Sequence, residues 1–173
     1  STKFQLTKEE LSYGFIDLVF EGLDTYSEVI LNNQPVFSSD NMFVTYEKEV
    51  KSLLLVGENK LEVRFTSPIN QNKDRVNKYP YKLPSGSETV GLQVGSFTRK
   101  AAYHFGWDWG PRFVTMGIWK PVYLKFYNEA KINHVLTETK KIDEDYAIQE
   151  FHVEIESALY LSLIHISEPT RPI

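Results

Sequence analysis

Cysteine is absent from the 173-residue sequence, so disulfides and thiolate metal sites are excluded and the redox compartment stays open. No apolar run approaches the ~20 residues that a membrane-spanning helix needs, and no membrane partner is expected. The four histidines, His104, His134, His152 and His165, show neither HxH nor HExxH spacing, so no metal centre is expected. No cofactor is expected. No long segment holds the i, i+3, i+4, i+7 pattern of an amphipathic helix. The net charge of −4 argues against a general binder of nucleic acid or anionic membrane. The chain opens on Ser1 with no leader pattern, from which an incomplete start is expected; the compartment is left open.

What is present reads as β-structure. Hydrophobic residues make up 42% of the chain and charged residues 24%, enough for a packed core. In "FIDLVFEG", Ile16, Leu18 and Phe20 alternate with Asp17, Val19 and Glu21, the period of a strand. "SEVILNNQPVF" holds two extended runs around Asn32-Asn33, a pair that tolerates the positive φ of a tight hairpin. "FVTYEKEV", "KLEVRF" and "WKPVYLKFY" supply further runs, the last aligning Val122, Leu124 and Phe126. Short strands separated by turn chemistry predict a β-sandwich.

Between Ser67 and Phe113 the alternation stops. This stretch holds Pro68, Pro80, Pro84 and Pro111, yet it is rich in aromatics (Tyr79, Tyr81, Phe97, Tyr103, Phe105, Trp107 and Trp109). Long loops in compact domains are functional or disordered, and disordered segments are aromatic-poor. An ordered loop excursion is therefore expected, with one helical turn in "FTRKAAYHF". Its basic residues, Lys73, Arg75, Lys78, Lys82, Arg99, Lys100 and Arg112, outnumber Asp74, Glu88 and Asp108. They are scattered, so single-strand nucleic-acid binding ranks low. Arg99 and Lys100 are expected to be solvated.

A boundary is expected near Asn128. Beyond it, "KINHVLTETKK" and "AIQEFHVEIES" read as two strands around "IDEDY". Two strands are marginal alone, so 128–158 is expected to open a second β-domain. The tail "LSLIHISEPTRP" resembles translated sequencing-adaptor read-through, and 159–173 is expected to be non-native.

The segment "HFGWDWGPR", 104–112, concentrates two of the three tryptophans around Asp108. Gly106 and Gly110 are expected to open unusual backbone angles, and Pro111 fixes φ. A carboxylate between indoles suits a sugar: the indole faces pack on ring C–H groups and the carboxylate accepts from hydroxyls. The competing reading makes the tryptophans core anchors, with Asp108 pairing with Arg112 or capping a turn. From residue types alone the two stand level.

"FGWDWGPRFVTMGIWKPVYL" resembles the signature segment of β-mannosidases of glycoside hydrolase family 2, and "IDLVFEGLDTYSEVILNN", "SDNMF", "ENKLEVRFTSP" and "RKAAYHFGWDWGP" fit the same family. The resemblance covers roughly 4–127. It implies an all-β fold: a jelly-roll, galactose-binding-domain-like β-sandwich over 1–127, followed by the first strands of an immunoglobulin-like β-sandwich. It implies a retaining exo-β-mannosidase acting on terminal non-reducing β-D-mannose of β-mannosides or manno-oligosaccharides. Retention uses two carboxylates about 5–5.5 Å apart. In the family both are glutamates on a (β/α)8 barrel, so no catalytic residue is expected in this chain, and the chain is expected to lack activity alone. The family's first strands lie upstream of Ser1, so an incomplete sandwich edge is expected. The resemblance further implies that Asp108 binds the sugar, that Trp107 and Trp109 shape its turn, and that Asn41 of "DNMF" approaches the same pocket. It implies an intramolecular contact with the barrel. For Asn41 a turn-satisfying role is the stronger prior. The alternatives are a stand-alone carbohydrate-binding module, which downstream coding sequence would distinguish, and a purely structural sandwich.

Overall fold

The computed structural model describes residues 1–86, 88 and 90–157. The chain divides into two compact units, Ser1–Phe126 and Tyr127–Ile173. The strands are β1 (Thr2–Leu6), β2 (Phe15–Phe20), β3 (Leu23–Asp24), β4 (Tyr26–Leu31), β5 (Gln34–Ser39), β6 (Tyr46–Glu49), β7 (Gly57–Thr66), β8 (Gly117–Ile118), β9 (Val122–Tyr127), β10 (Ala130–Ile142) and β11 (Ala147–Ser157). A single α-helix among the described residues, α1, spans Pro68–Lys78.

The first unit is a β-sandwich. One sheet has the order β1-β7-β4-β5, the other β6-β2-β9, and β3 pairs with β8 at the side. The register puts inward residues opposite one another: Val29 faces Val63 and Leu31 faces Leu61. Buried Leu6, Ile16, Leu18, Phe20, Val29, Leu31, Val50 and Leu61 form the core, with Val122, Leu124 and Phe126 packed against it. Each such side chain contributes about 1.5–3 kcal/mol by leaving water. Asn32 and Asn33 adopt φ of 49° and 66°, closing the β4–β5 hairpin as their chemistry predicts. A register shift between Val29 and Ile30 lets both Val36 and Phe37 reach the core. Pro35 is tolerated because β5 is an edge strand.

β2 departs from simple alternation. Asp17 and Val19, on the side opposite Ile16, Leu18 and Phe20, are nevertheless each 1% exposed. β2 is the middle strand of its sheet, and Val19 lies opposite Glu47 of β6. Lys125 of β9 reaches across to Glu47 at 3.5 Å, so a polar bridge from both neighbours roofs the outer face of β2.

The excursion after β7 is more regular than predicted. Its first part is α1, where Pro68 sits at the first helical position, as its fixed φ favours. Tyr79 ends the helix in an extended conformation, consistent with Pro80 behind it. The helix escaped the sequence reading because its anchor is polar. Buried Asn72 donates to Tyr26 Oη at 2.9 Å, Thr98 Oγ1 at 3.0 Å and Pro68 O at 3.2 Å. Such an anchor leaves no hydrophobic periodicity. The remainder is ordered around two 3-10 turns, Gly95–Phe97 and Ala102–Phe105, the second within the predicted "FTRKAAYHF".

The second unit is an antiparallel hairpin of β10 and β11 with two register shifts, closed where Asp143 N donates to Tyr146 O at 2.8 Å. Pairs Ile132–Ile155 and Val135–Val153 share one face. The tail 159–173, expected to be non-native, lies outside the described residues.

Candidate functional site

The aromatic turn forms directly after the second 3-10 turn. Gly106 takes φ 109°, ψ 173°, a conformation that side-chain-bearing residues avoid. Trp107 N donates to Gly110 O, and Gly110 N to Trp107 O, each at 3.4 Å. Asp108 and Trp109 are thus the two central residues of a tight reversal. Gly110 has no left-handed φ, contrary to expectation; only Gly106 exploits glycine's freedom here.

The side chains of Trp107, Asp108 and Trp109 all face solvent. Trp107 is 47% exposed and Trp109 81%, their rings edge-to-face with centroids 5.4 Å apart. Asp108 is also exposed. The tryptophans are therefore not core anchors, and Arg112 does not pair with Asp108. Its Nη2 instead meets Glu88 Oε1 at 2.7 Å.

Around the segment that leads into the turn, residues far apart in sequence converge. Lys100, predicted to be solvated, is buried and paired with Asp24. Burial pushes its ammonium below the usual lysine range, against the pull of Asp24. Burial also lowers His104, helped by the positive charge of Lys100. His104 Nδ1 lies 2.9 Å from Thr115 Oγ1. Met42 closes the cluster: its sulfur accepts from Ala101 N at 3.0 Å, and its carbonyl accepts from Trp119 Nε1 at 3.2 Å. Trp119 in turn packs on Gly22, where an added Cβ would stand 2.5 Å from its Nε1. A cleft of about 320 Å³ opens here, lined by Asp24, Met42, Tyr103, His104, Met116 and Trp119 among others. The motif segments contain Lys100 and His104 but gave neither a buried role; "GLDT", "DNMF", "RKAAYHF" and "GIW" meet only in three dimensions.

Asn41 sits one residue from this cluster. It bridges to Arg99, its Oδ1 accepts from Phe43 N at 3.0 Å, and its own N–H donates to Tyr46 Oη at 3.1 Å. This is the turn-satisfying geometry, and Asn41 joins the segment that leads into the aromatic turn through its bridge to Arg99 and through its neighbour Met42. Arg99 is exposed, as expected, and pairs with Asp40 at 2.7 Å.

In the second unit, Glu138, Glu150 and His152 approach within 4.8 Å of one another. The Lys140 ammonium occupies that space, 2.6 Å from Glu138 and 3.0 Å from Glu150. The arrangement is an exposed ion-pair network, whose acidic groups hold Lys140 above the usual lysine range.

Residues 1–120 match the family model described as glycosyl hydrolase 2 galactose-binding domain-like. The β-mannosidase of Capra hircus is 36% identical over 161 residues, 90% of this chain and 18% of that one. β-Mannosidase B of Emericella nidulans is 40% identical over 135 residues, 76% of this chain and 15% of that one. The crystal structure of the β-D-mannosidase from Dictyoglomus thermophilum has a TM-score of 0.80 at 46% identity, over 90% of this chain and 19% of that one. A β-glycosidase from Bacteroides vulgatus, with a TM-score of 0.60 at 18% identity, shares the fold. The chain spans less than a fifth of the length of each of these proteins.

Proposed function

This chain belongs to the glycosyl hydrolase 2 galactose-binding domain-like family, and on that premise we propose that it serves a retaining exo-β-mannosidase as its N-terminal, sugar-contacting part. The observation that carries this reading is Asp108: an exposed carboxylate at the centre of a reversal pinned by Gly106, between two exposed indoles. Such a carboxylate accepts hydrogen bonds from neighbouring sugar hydroxyls, and charge-assisted bonds of this kind are about twice as strong as neutral ones. Trp107 and Trp109 offer apolar faces to ring C–H groups and shield those bonds from water.

The two carboxylates that a retaining hydrolysis needs are assigned to a catalytic barrel of the longer protein. The turn would project toward that barrel, completing its mannose pocket, with Asn41 at the margin. The hairpin β10–β11 would open an immunoglobulin-like domain between the two. Support comes from the β-mannosidase names of the relatives and from the solvent exposure of the turn.

The test is Asp108→Ala in the full-length enzyme. A fall in kcat/KM toward a nitrophenyl β-mannoside of about 100-fold, with unchanged Tm, is expected. An unaltered kcat/KM removes Asp108 from the sugar site. Hydrolysis by residues 1–157 alone would overturn the assignment of catalysis to another domain.

A further inference from the structure

We infer that Glu88 and Arg112 act as a positioning pair for Asp108, holding the aromatic turn at the orientation in which its carboxylate meets the sugar. The inference rests on the proposed role of Asp108 and adds two residues that touch no substrate.

The pair ties the middle of the long excursion to its end. Glu88 is 1% exposed, and its backbone and carboxylate polar atoms are all engaged. Its Oε1 accepts from Val94 N at 3.1 Å and from Arg112 Nη2 at 2.7 Å; its Oε2 accepts from Gly95 N at 2.9 Å. Its backbone N–H donates to Ser85 O at 3.1 Å, and its carbonyl accepts from Gln93 Nε2 at 2.7 Å. Arg112 Nη2 also donates to Leu92 O at 2.9 Å. One carboxylate thus ties a backbone loop, a 3-10 turn and the arginine two residues beyond the Trp107–Gly110 reversal.

The fit is tight at both ends. Gly91 takes φ +74°, and an added Cβ would stand 3.1 Å from Arg112 Nη1. A Cβ on Gly95 would stand 3.0 Å from Glu88 Oε2 and 3.3 Å from the Phe105 ring. Phe105 is itself buried and immediately precedes Gly106. The segment leaving the turn is fixed by Arg112, and the 3-10 turn entering it by Phe105 packed on the segment that Glu88 holds. Among the described residues Asp108 makes no hydrogen bond or ion pair of its own, so its direction is set by these two supports. A displacement of about 1 Å in a substrate-orienting group lowers rate by about 100-fold.

The experiment is a double-mutant cycle in the full-length enzyme, combining Arg112→Lys with Asp108→Ala. Arg112→Lys alone is expected to lower kcat/KM for a nitrophenyl β-mannoside by about 10- to 100-fold and to shift the tryptophan emission of the turn. In the Asp108→Ala background it is expected to add nothing. Glu88→Gln enters the same cycle, so the coupling is read from either end and survives the misfolding of one variant. Coupled losses support the pair as a positioning device. Additive losses, with Asp108→Ala itself impaired, overturn it while leaving the sugar-binding role intact. An unimpaired Asp108→Ala removes the sugar-binding role, and the positioning role with it.

Discussion

Lys100 buries its ammonium against the carboxylate of Asp24, a residue 76 positions earlier in the chain. The pair joins the motifs "GLDT" and "RKAAYHF", the second of which leads into the aromatic turn. Two buried charges persist only when paired, because each alone carries a large desolvation penalty. Lys100→Ala is expected to destabilise the chain by roughly 3–5 kcal/mol. Lys100→Met with Asp24→Asn is expected to recover part of that loss, read as a higher urea midpoint than Lys100→Ala alone. Equal midpoints for all variants and wild type would deny the pair any structural role.

Gly22 is a steric requirement rather than a conformational one. Trp119 Nε1 and Cε2 would stand 2.5 and 2.7 Å from an added Cβ. Gly22→Ala is expected to cost about 1–3 kcal/mol through overpacking and to shift the emission of Trp119. Pairing it with Trp119→Leu should return most of the stability; failure to do so would place the strain elsewhere.

His104 makes stability depend on acid. Its folded-state pKa lies below the usual value of about 6.5, chiefly through burial and next through Lys100. The unfolded chain therefore takes up that proton first as pH falls. Stability should drop as pH decreases from about 6.5 toward the folded-state value. His104→Gln is expected to flatten that part of the profile, measured as the urea midpoint at about pH 7.5 and about pH 5.5. An unchanged slope would exclude His104 as its source.

Asn59 is fully buried and binds four groups. Its Oδ1 accepts from Asn32 Nδ2 and Leu55 N, both at 2.8 Å, and its Nδ2 donates to Leu55 O at 2.8 Å and Gly57 O at 3.1 Å. Asn59→Ala leaves several buried partners without a mate, each worth about 1–3 kcal/mol. A loss of at least roughly 2 kcal/mol is expected in chemical denaturation. A near-neutral change would mean that water replaces the side chain.

The strands were legible because their chemistry is local. Leu61, Val63 and Phe65 alternate in β7, and Asn32-Asn33 announces its hairpin by residue type alone. The all-β class and the galactose-binding-like sandwich followed from such runs together with the motif resemblance. Helix α1 was hidden because Asn72, a polar residue, anchors it. The ion pairs were hidden because opposite charges 24 and 76 positions apart give no periodic signal.

Sequence by itself determined that a turn with two indoles and a carboxylate exists, because glycine, proline and tryptophan constrain the chain within a few residues. It left open whether those side chains pack inward or face out, since burial is a property of the whole chain. The tertiary structure decided that Trp107, Asp108 and Trp109 face solvent, and that Arg112 turns away from Asp108 to Glu88. The reason is electrostatic and steric together: the buried Glu88 carboxylate needs a cation, and the Trp107–Gly110 reversal points its own side chains away from the core.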